Sequence, residues 1–338
     1  MADTARVPTA RDVAEMAGVS QATVSYVLSG RSGGRDRVSA ETRQRVLQAV
    51  EALGYAPNQA ARSLRRRRTD RICLVLPRFN APHYDVLAED VQRVASRHGY
   101  TVYLVVAGTA RREREILQQL RRRVADGVII EPRFVEGEDI APLARAGVAV
   151  VVHSDYVVGS GFDVVRPMRA ELSYQAMRHL LDKGHRRIAF VGNFAQHPVH
   201  YGRYDSYRRA LEERGIAVDP RLVRAGSDSR EESFQAVRAL LQLEEPPTAV
   251  FSASDIGAIS AIWAAYSLGR RVPDDLAVIG VGNTPEGRVS HPPLTTIGPV
   301  ARDFTDLADL LFDRLQGNAP PEGRAHLRQW ELILRGSA

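Results

Sequence analysis

Residues 9–30, TARDVAEMAGVSQATVSYVLSG, limit what this chain can fold into more than any other stretch. They read as two short helices joined by a tight turn. Thr9 is placed to cap the first, with Asp12 in its first turn, where a carboxylate suits the free N–H groups. Val13, Ala14, Met16 and Ala17 give that helix a narrow apolar face. Gly18 ends it, because a sharp turn needs the left-handed backbone glycine adopts readily. Ser20 then caps a helix from Gln21 to Leu28, with Val24, Val27 and Leu28 inward. Gln21, Ala22, Ser25 and Tyr26 face outward and are short or able to hydrogen-bond. This is the layout of a helix-turn-helix, whose second helix offers its N-terminal half to the major groove. An ordinary capped helical hairpin is the alternative.

The charge distribution favours a nucleic-acid partner. The net charge is +6, and residues 1–71 hold 13 arginines against 7 acidic residues. The remaining residues carry 33 basic and 33 acidic side chains, so the whole excess sits in the N-terminal fifth. A basic head on a neutral body suits a polyanion bound at the head alone. A third helix is expected from a cap at Ser39 to Leu53, closing a small core through Val46, Val50 and Leu53. A basic loop, GRSGGRDRV, lies between Leu28 and Ser39 and suits phosphate contact. After Pro57, Asn58 is positioned to cap a two-turn helix from Gln59 to about Leu64. Alone, so short a helix is marginal. Arg65–Arg68 follow as phosphate contacts.

DVAEMAGVSQATVSYVL and VSAETRQRVLQAVEALGYAPNQAARSL carry a specific resemblance. The head is similar to that of the LacI/GalR family of bacterial transcriptional regulators, and the likeness continues through essentially the whole chain. The resemblance implies a hinge helix that pairs with its partner copy in the minor groove. Leu64 stands at the position of the wedging leucine, with Ala61 and Asn58 at the hinge alanine and asparagine. The implied DNA-binding set is Thr9, Ser20, Gln21, Ala22, Thr23, Ser25, Tyr26, Asn58, Ala61, Leu64 and Arg65. Tyr26 departs from the arginine usual there and cannot grip guanine with two hydrogen bonds, so the operator half-site should differ from the common family sequence.

The rest of the chain alternates apolar runs (72–77, 101–106, 127–131, 148–152, 187–192, 248–253 and 276–282) with helical patterns. Fully apolar strands between helices predict parallel, doubly wound sheets. The expected fold class is α/β: an all-α helix-turn-helix head with a hinge helix, then two doubly wound lobes that resemble periplasmic binding proteins. The expected domains are 1–56, 57–71 and 72–338. Within the last, lobe 1 takes about 72–162 plus 298–318, and lobe 2 about 163–293 plus 319–338. Crossings are expected near 155–165 and near TTIGP.

Open parallel sheets bind ligands beyond their C-terminal strand ends. The family's cleft arginine matches Arg203. His153, Ser154, Ser254, Asp255 and Asn283 stand at other matched pocket positions or beside them, and Phe79, Tyr84 and Arg133 lie on loops at strand ends. Several carboxylates usual in sugar-binding members are missing from the matched positions, which favours an anionic effector over a neutral hexose.

Catalytic signatures are lacking. GVGNTP lacks the third glycine of a dinucleotide fingerprint, and His197 and His200 are too few ligands for a metal. The expectation is therefore a regulator, with no enzymatic activity, cofactor or metal. No apolar run approaches the roughly 18 residues of a membrane span. MADTARVPTARD has no signal-peptide core, and the single Cys73 fits a reducing cytoplasm. The stretch after Trp330 carries no heptad pattern, so a homodimer on a pseudo-palindromic operator is expected, rather than a coiled-coil tetramer. A transport receptor of the same two-lobed fold, or an enzyme with an appended head, would be the alternatives.

Overall fold

The structure, a computed structural model, describes residues 8–28, 38–56, 66, 68–79, 81–192, 201–226 and 229–338. Asn58, Ala61, Leu64 and Arg65, the loop at 29–37, and His197 and His200 lie outside the described residues. The chain divides into two compact units, Met1–Thr69 and Asp70–Ala338.

The first unit contains α1 (Ala10–Ala17), α2 (Gln21–Leu28) and α3 (Ala40–Leu53). A capping box opens α1: Asp12 N–H donates to Thr9 Oγ1 at 3.4 Å, and Thr9 N–H to Asp12 Oδ2 at 2.7 Å. Gly18 and Gly54 end α1 and α3 at φ 63° and 61°. Ser20 accepts from Thr23 N–H, and Ser39 from Thr42 N–H, so each helix starts on a side-chain oxygen. Val13, Ala14, Ala17, Val24, Val27, Val46 and Ala49 form the core. Met16, expected inside, is exposed. The other three residues already fill the narrow face that α1 turns to its neighbours.

The second unit holds two six-stranded sheets. In chain order the first lobe begins with β1 (Arg71–Leu76), α4 (Pro82–Arg97), β2 (Thr101–Val106), α5 (Ala110–Leu120), β3 (Gly127–Ile130), α6 (Gly137–Arg145), β4 (Ala149–His153) and β5 (Asp163–Arg166). The second follows with α7 (Arg169–Asp182), β6 (Ile188–Val191), α8 (Tyr201–Glu212), β7 (Val223–Arg224), α9 (Arg230–Leu241), β8 (Ala249–Ser252), α10 (Asp255–Ser267), β9 (Ala277–Val281), α11 (Pro285–Val289) and β10 (Thr295–Pro299). The chain ends with α12 (Thr305–Gln316), β11 (Ala325–Leu327) and β12 (Trp330–Ile333). Sheet 1 runs β11-β5-β4-β3-β1-β2, all parallel. Sheet 2 runs β12-β10-β9-β8-β6-β7, parallel except for antiparallel β12.

Both faces of each sheet are covered. In β1, Ile72, Leu74 and Leu76 pack towards α4 and α12, while Cys73 and Val75 pack towards α5 and α6. In β6, Ile188 and Phe190 meet α7 and α8, while Ala189 and Val191 meet α9 and α10. This two-sided burial is why these strands are apolar at every position. β2 departs from that expectation: it is an edge strand, and Tyr103 and Leu104 are exposed.

The lobe boundaries differ from those read in the sequence. Asp163–Arg166, expected in lobe 2, pairs with β4 in sheet 1, because buried Asp163 is held by Arg314 and Arg324 at 2.8 Å each. TTIGP is a full strand of sheet 2, with the crossing after it. Ala325–Leu327, also expected in lobe 2, pairs with β5 in sheet 1. The chain therefore crosses between lobes three times, at 167–168, 300–304 and 328–329. Helix α12 returns to lobe 1 as expected, packing on β3, β4 and α4.

Arg328 ties the three crossings together. Its N–H donates to Arg166 O at 2.8 Å, at the first crossing. Its guanidinium lies 4.2 Å over the Phe304 ring, donates to Asp303 O and pairs with Asp306 at 2.7 Å, all at the second. Arg328 itself belongs to the third. Replacing it by Met keeps the stem and removes the donors. Arg328→Met is expected to cost about 1.5–3 kcal/mol in urea denaturation, the worth of hydrogen bonds made by a charged group. Hydrogen exchange should accelerate at 166–169, 300–305 and 327–330 while the β1 and β6 amides stay protected.

Candidate functional sites: a recognition helix and an interlobe cleft

In the head unit, Gln21, Ala22, Ser25 and Tyr26 are exposed on α2, opposite buried Val24 and Val27. Thr23 is half-buried, and its hydroxyl lies 3.0 Å from Ser20 Oγ, so these two hold the helix start. Thr9 serves as the α1 cap. The outward row is that of a helix able to present side chains to base edges.

In the larger unit, a cavity of about 180 Å³ lies between the lobes, lined by residues that follow β1, β3 and β4 in lobe 1 and β8, β9 and β10 in lobe 2. Strands that run parallel end together, so their loops converge on it. Arg203, His153, Ser154, Ser254, Asp255, Tyr84 and Arg133 line it as expected from the sequence. Phe79 does not; it is 59% exposed just outside the lining. Asn283 does not either. Its Nδ2 donates to Pro299 O at 2.8 Å, and its Oδ1 accepts from Arg335 at 2.6 Å, so it joins the ends of β9 and β10. It sits at φ 50°, where a Cβ on Gly298 would approach its own Cβ to 2.6 Å; glycine at 298 is what lets the two loops close.

Several expected contacts are engaged in shaping the site. Asp255 is buried, accepting from Thr284 N–H at 2.7 Å and Thr296 Oγ1 at 2.5 Å. Burial pushes its carboxyl upward against the opposing pull of those hydrogen bonds. Ser254 caps α10 by accepting from Gly257 N–H at 3.1 Å. Ser154 Oγ accepts from Tyr156 and Val157 N–H at 3.3 and 3.4 Å, setting the loop after β4. Arg203 reaches from α8 to Ala253 O at 3.0 Å.

The centre of the cavity is a group the sequence did not single out. Glu131 follows β3 and is nearly buried. It accepts from His153 Nδ1 at 2.8 Å, from Arg169 Nη2 at 3.3 Å and from Tyr84 Oη at 3.4 Å. Burial opposes its charge, but Arg169 and His153 outweigh that and hold its carboxyl well below the usual range. Arg169 opens α7 and lies 5.3 Å over the Trp330 ring. Burial, resisted by Glu131, pushes neighbouring His83 down to about 3, so it is neutral near pH 7. Asp155 accepts from Met168 and Arg169 N–H at 2.7 and 3.2 Å, anchoring the first crossing. Glu113, buried in the first turn of α5, takes Arg133 and Phe134 N–H at 2.7 and 2.8 Å and so fixes the Arg133 loop. A charged residue directly after an apolar strand was the available signal for Glu131. No local pattern marked Arg169 or Trp330. No cluster among the described residues could hold a metal ion.

Comparison with known proteins places this geometry. Residues 9–58 match the family described as bacterial regulatory proteins, lacI family, and residues 177–338 match a periplasmic binding protein-like domain. The chain is 33% identical over 332 residues to the HTH-type transcriptional repressor PurR of Mannheimia succiniciproducens, covering 97% of this chain and 98% of the relative. It is 30% identical over 338 residues to the repressor CytR of Escherichia coli, covering 97% and 96%. Among solved structures, the Lac repressor dimer bound to operator and the anti-inducer ONPF superposes with a TM-score of 0.76 at 25% identity, covering 98% of this chain and 99% of that one. A complex of the transcriptional regulator CelR with cellobiose gives 0.67 at 29% identity, covering 98% and 100%. The chain thus belongs to the lacI family of bacterial regulatory proteins: it is a transcriptional repressor with a helix-turn-helix DNA-binding domain and a ligand-binding domain, and not an enzyme.

Proposed function

We propose that the protein binds a pseudo-palindromic operator in the bacterial cytoplasm as a homodimer, and that a small anionic effector in the interlobe cleft sets its affinity for DNA. Gln21, Ala22, Ser25 and Tyr26 read bases under this proposal, with Thr9, Ser20 and Thr23 holding the helix ends. Asn58, Ala61, Leu64 and Arg65 form the minor-groove hinge.

The observation that carries the effector reading is the charge balance of the cavity lining. Arg78, Arg133, Arg169 and Arg203 all line it. Its carboxylates are already engaged: Glu131 with Arg169 and His153, Asp155 with two backbone N–H groups, Asp255 with Thr284 and Thr296. An acid group entering the cleft meets four arginine side chains. The dimer reading is supported by apolar surface. β2 leaves a sheet edge unpaired with Tyr103 and Leu104 exposed, and α10 exposes Trp263 and Tyr266 three residues apart on one face. The Lac repressor in the similar structure is titled a dimer bound to operator.

Thermal-shift screening of the full chain tests the effector class. A ligand at about 100 times its dissociation constant stabilises by roughly 2.7 kcal/mol. Sugar phosphates or small acids are expected to raise the midpoint; tight binding of an unmodified hexose, with none by acids, contradicts the reading. On DNA, Gln21→Ala should weaken operator binding by roughly 5- to 150-fold, the 1–3 kcal/mol a base-edge contact is worth. Binding to random duplex should hardly change. Leu64→Ala should reduce the bend measured by circular permutation; an unaltered bend refutes the wedge.

A further inference from the structure

Three polar atoms that line or border the same cavity are buried without a hydrogen-bond partner among the described residues: Arg169 Nε, Trp330 Nε1 and His153 Nε2. His153 is only 1% exposed, so bulk water does not satisfy its second nitrogen. Buried polar atoms normally find partners, and three orphans around one cavity mark a place built for a guest.

Their chemistry describes that guest. Arg Nε–H and indole Nε1–H only donate, so each needs an oxygen acceptor. Arg169 already gives Nη2 to Glu131 at 3.3 Å, and its Cζ lies 5.3 Å from the centre of the Trp330 ring. His153 asks for a different group. Glu131 is a carboxylate and can only accept, so the 2.8 Å contact puts the ring proton on Nδ1. A hydroxyl both donates and accepts, so a guest hydroxyl can pair with Nε2 whichever role that nitrogen takes. A cavity of about 180 Å³ suits a small molecule.

We propose that the effector is a small hydroxylated acid, with its oxyanion on Arg169 Nε and Trp330 Nε1 and a hydroxyl hydrogen-bonded to His153 Nε2. The proposal rests on the cleft being the effector site, and it makes Arg169 and Trp330 the residues that select acid over neutral sugar. The two lie beside crossings of the chain: Arg169 directly follows the first, and Trp330 directly follows the third. The acid group thereby touches the points where one lobe gives way to the other.

Calorimetric titration of the full-length protein with D-gluconate, D-glucuronate, D-glucose 6-phosphate and D-glucose tests this. At least one acid should bind tenfold or more tightly than glucose. The carboxylate and phosphate arms distinguish the two sources of the oxyanion. Trp330→Phe keeps an aromatic ring at this position and removes the N–H together with part of the ring surface. It should weaken the acid about tenfold and glucose not at all, as should Arg169→Lys. His153→Leu should remove the preference for gluconate over n-hexanoate, which has the same carbon chain without hydroxyls, and circular dichroism melts report whether each variant is folded. Binding of no acid, or an acid affinity untouched by Trp330→Phe and Arg169→Lys, overturns the proposal. The underlying site assignment is read separately from Arg203→Met. If Arg203→Met abolishes acid binding and Trp330→Phe does not alter it, the cleft is right and this recognition is wrong. If neither Arg203→Met nor Arg169→Lys alters binding, the cleft is wrong as well.

Discussion

Arg328 is the interaction on which the two-lobed unit depends. A chain that crosses three times between two sheets could bend differently at each crossing. Arg328 prevents that by belonging to one crossing while holding Arg166 O from another and Asp303 O, Asp306 and the Phe304 ring from the third. The segments are thus cross-linked at a few points, and one arginine sets the common geometry. Neighbouring bonds extend the effect: Phe304 N–H donates to Asp90 at 2.8 Å, and Arg302 to Pro82 O at 2.9 Å. Both Asp90 and Pro82 are in α4, so the second crossing is fastened to the helix whose first turn lines the cleft.

A hinge fastened in this way has few arrangements, which is what ligand control requires. A ligand shifts an equilibrium only by the difference in its affinity for the two states, typically 1–3 kcal/mol. A loose hinge would spread that difference over many conformations. Here the cleft is roofed by the ends of parallel strands from both lobes and closed by Glu131 of lobe 1 paired with Arg169 of lobe 2. That pair is mostly buried, so its contribution to stability is limited by desolvation. Its consequence is geometric: moving the lobes apart strips a buried charge of its partner.

Much of the fold was legible because burial leaves a strong mark. Strands such as Ile72–Leu76 and Ile188–Val191 are covered on both faces and so are apolar throughout, and the caps Thr9, Ser20 and Ser39 announce helix starts. The strands that escaped notice were short or not fully apolar. β5 begins with Asp163, a charge that belongs inside only because Arg314 and Arg324 arrive from far along the chain. β11 and β12 are three and four residues long and partly exposed. The cleft was half legible for the same reason. His153, Ser254 and Arg203 occupy matched positions next to strands or at helix starts. Glu131, Arg169 and Trp330 meet only because the chain crosses three times, which no local pattern records. Asn283 differs from the expectation: a polar residue after a strand suggests a ligand contact, but this one joins two loops outside the lining, whereas Asp255 lines the cavity with its carboxylate engaged by Thr284 and Thr296.

The head shows how modest a single DNA-reading surface is. The exposed face of α2 offers Gln21, Ala22, Ser25 and Tyr26, of which none carries a charge. None can form the two-pronged arginine–guanine contact that gives much base discrimination, and Tyr26 supplies one hydroxyl and an apolar ring instead. Under the proposed reading, Gln21 is the one residue of this row that can grip a base, adenine, with two hydrogen bonds, and the arginine excess of the head would add affinity that is blind to sequence and sensitive to salt. Under the proposed assembly, discrimination comes from requiring two heads at a fixed spacing. That makes spacing the quantity worth controlling, and a unit of two lobes held by three tied crossings is suited to control a distance rather than to alter a contact.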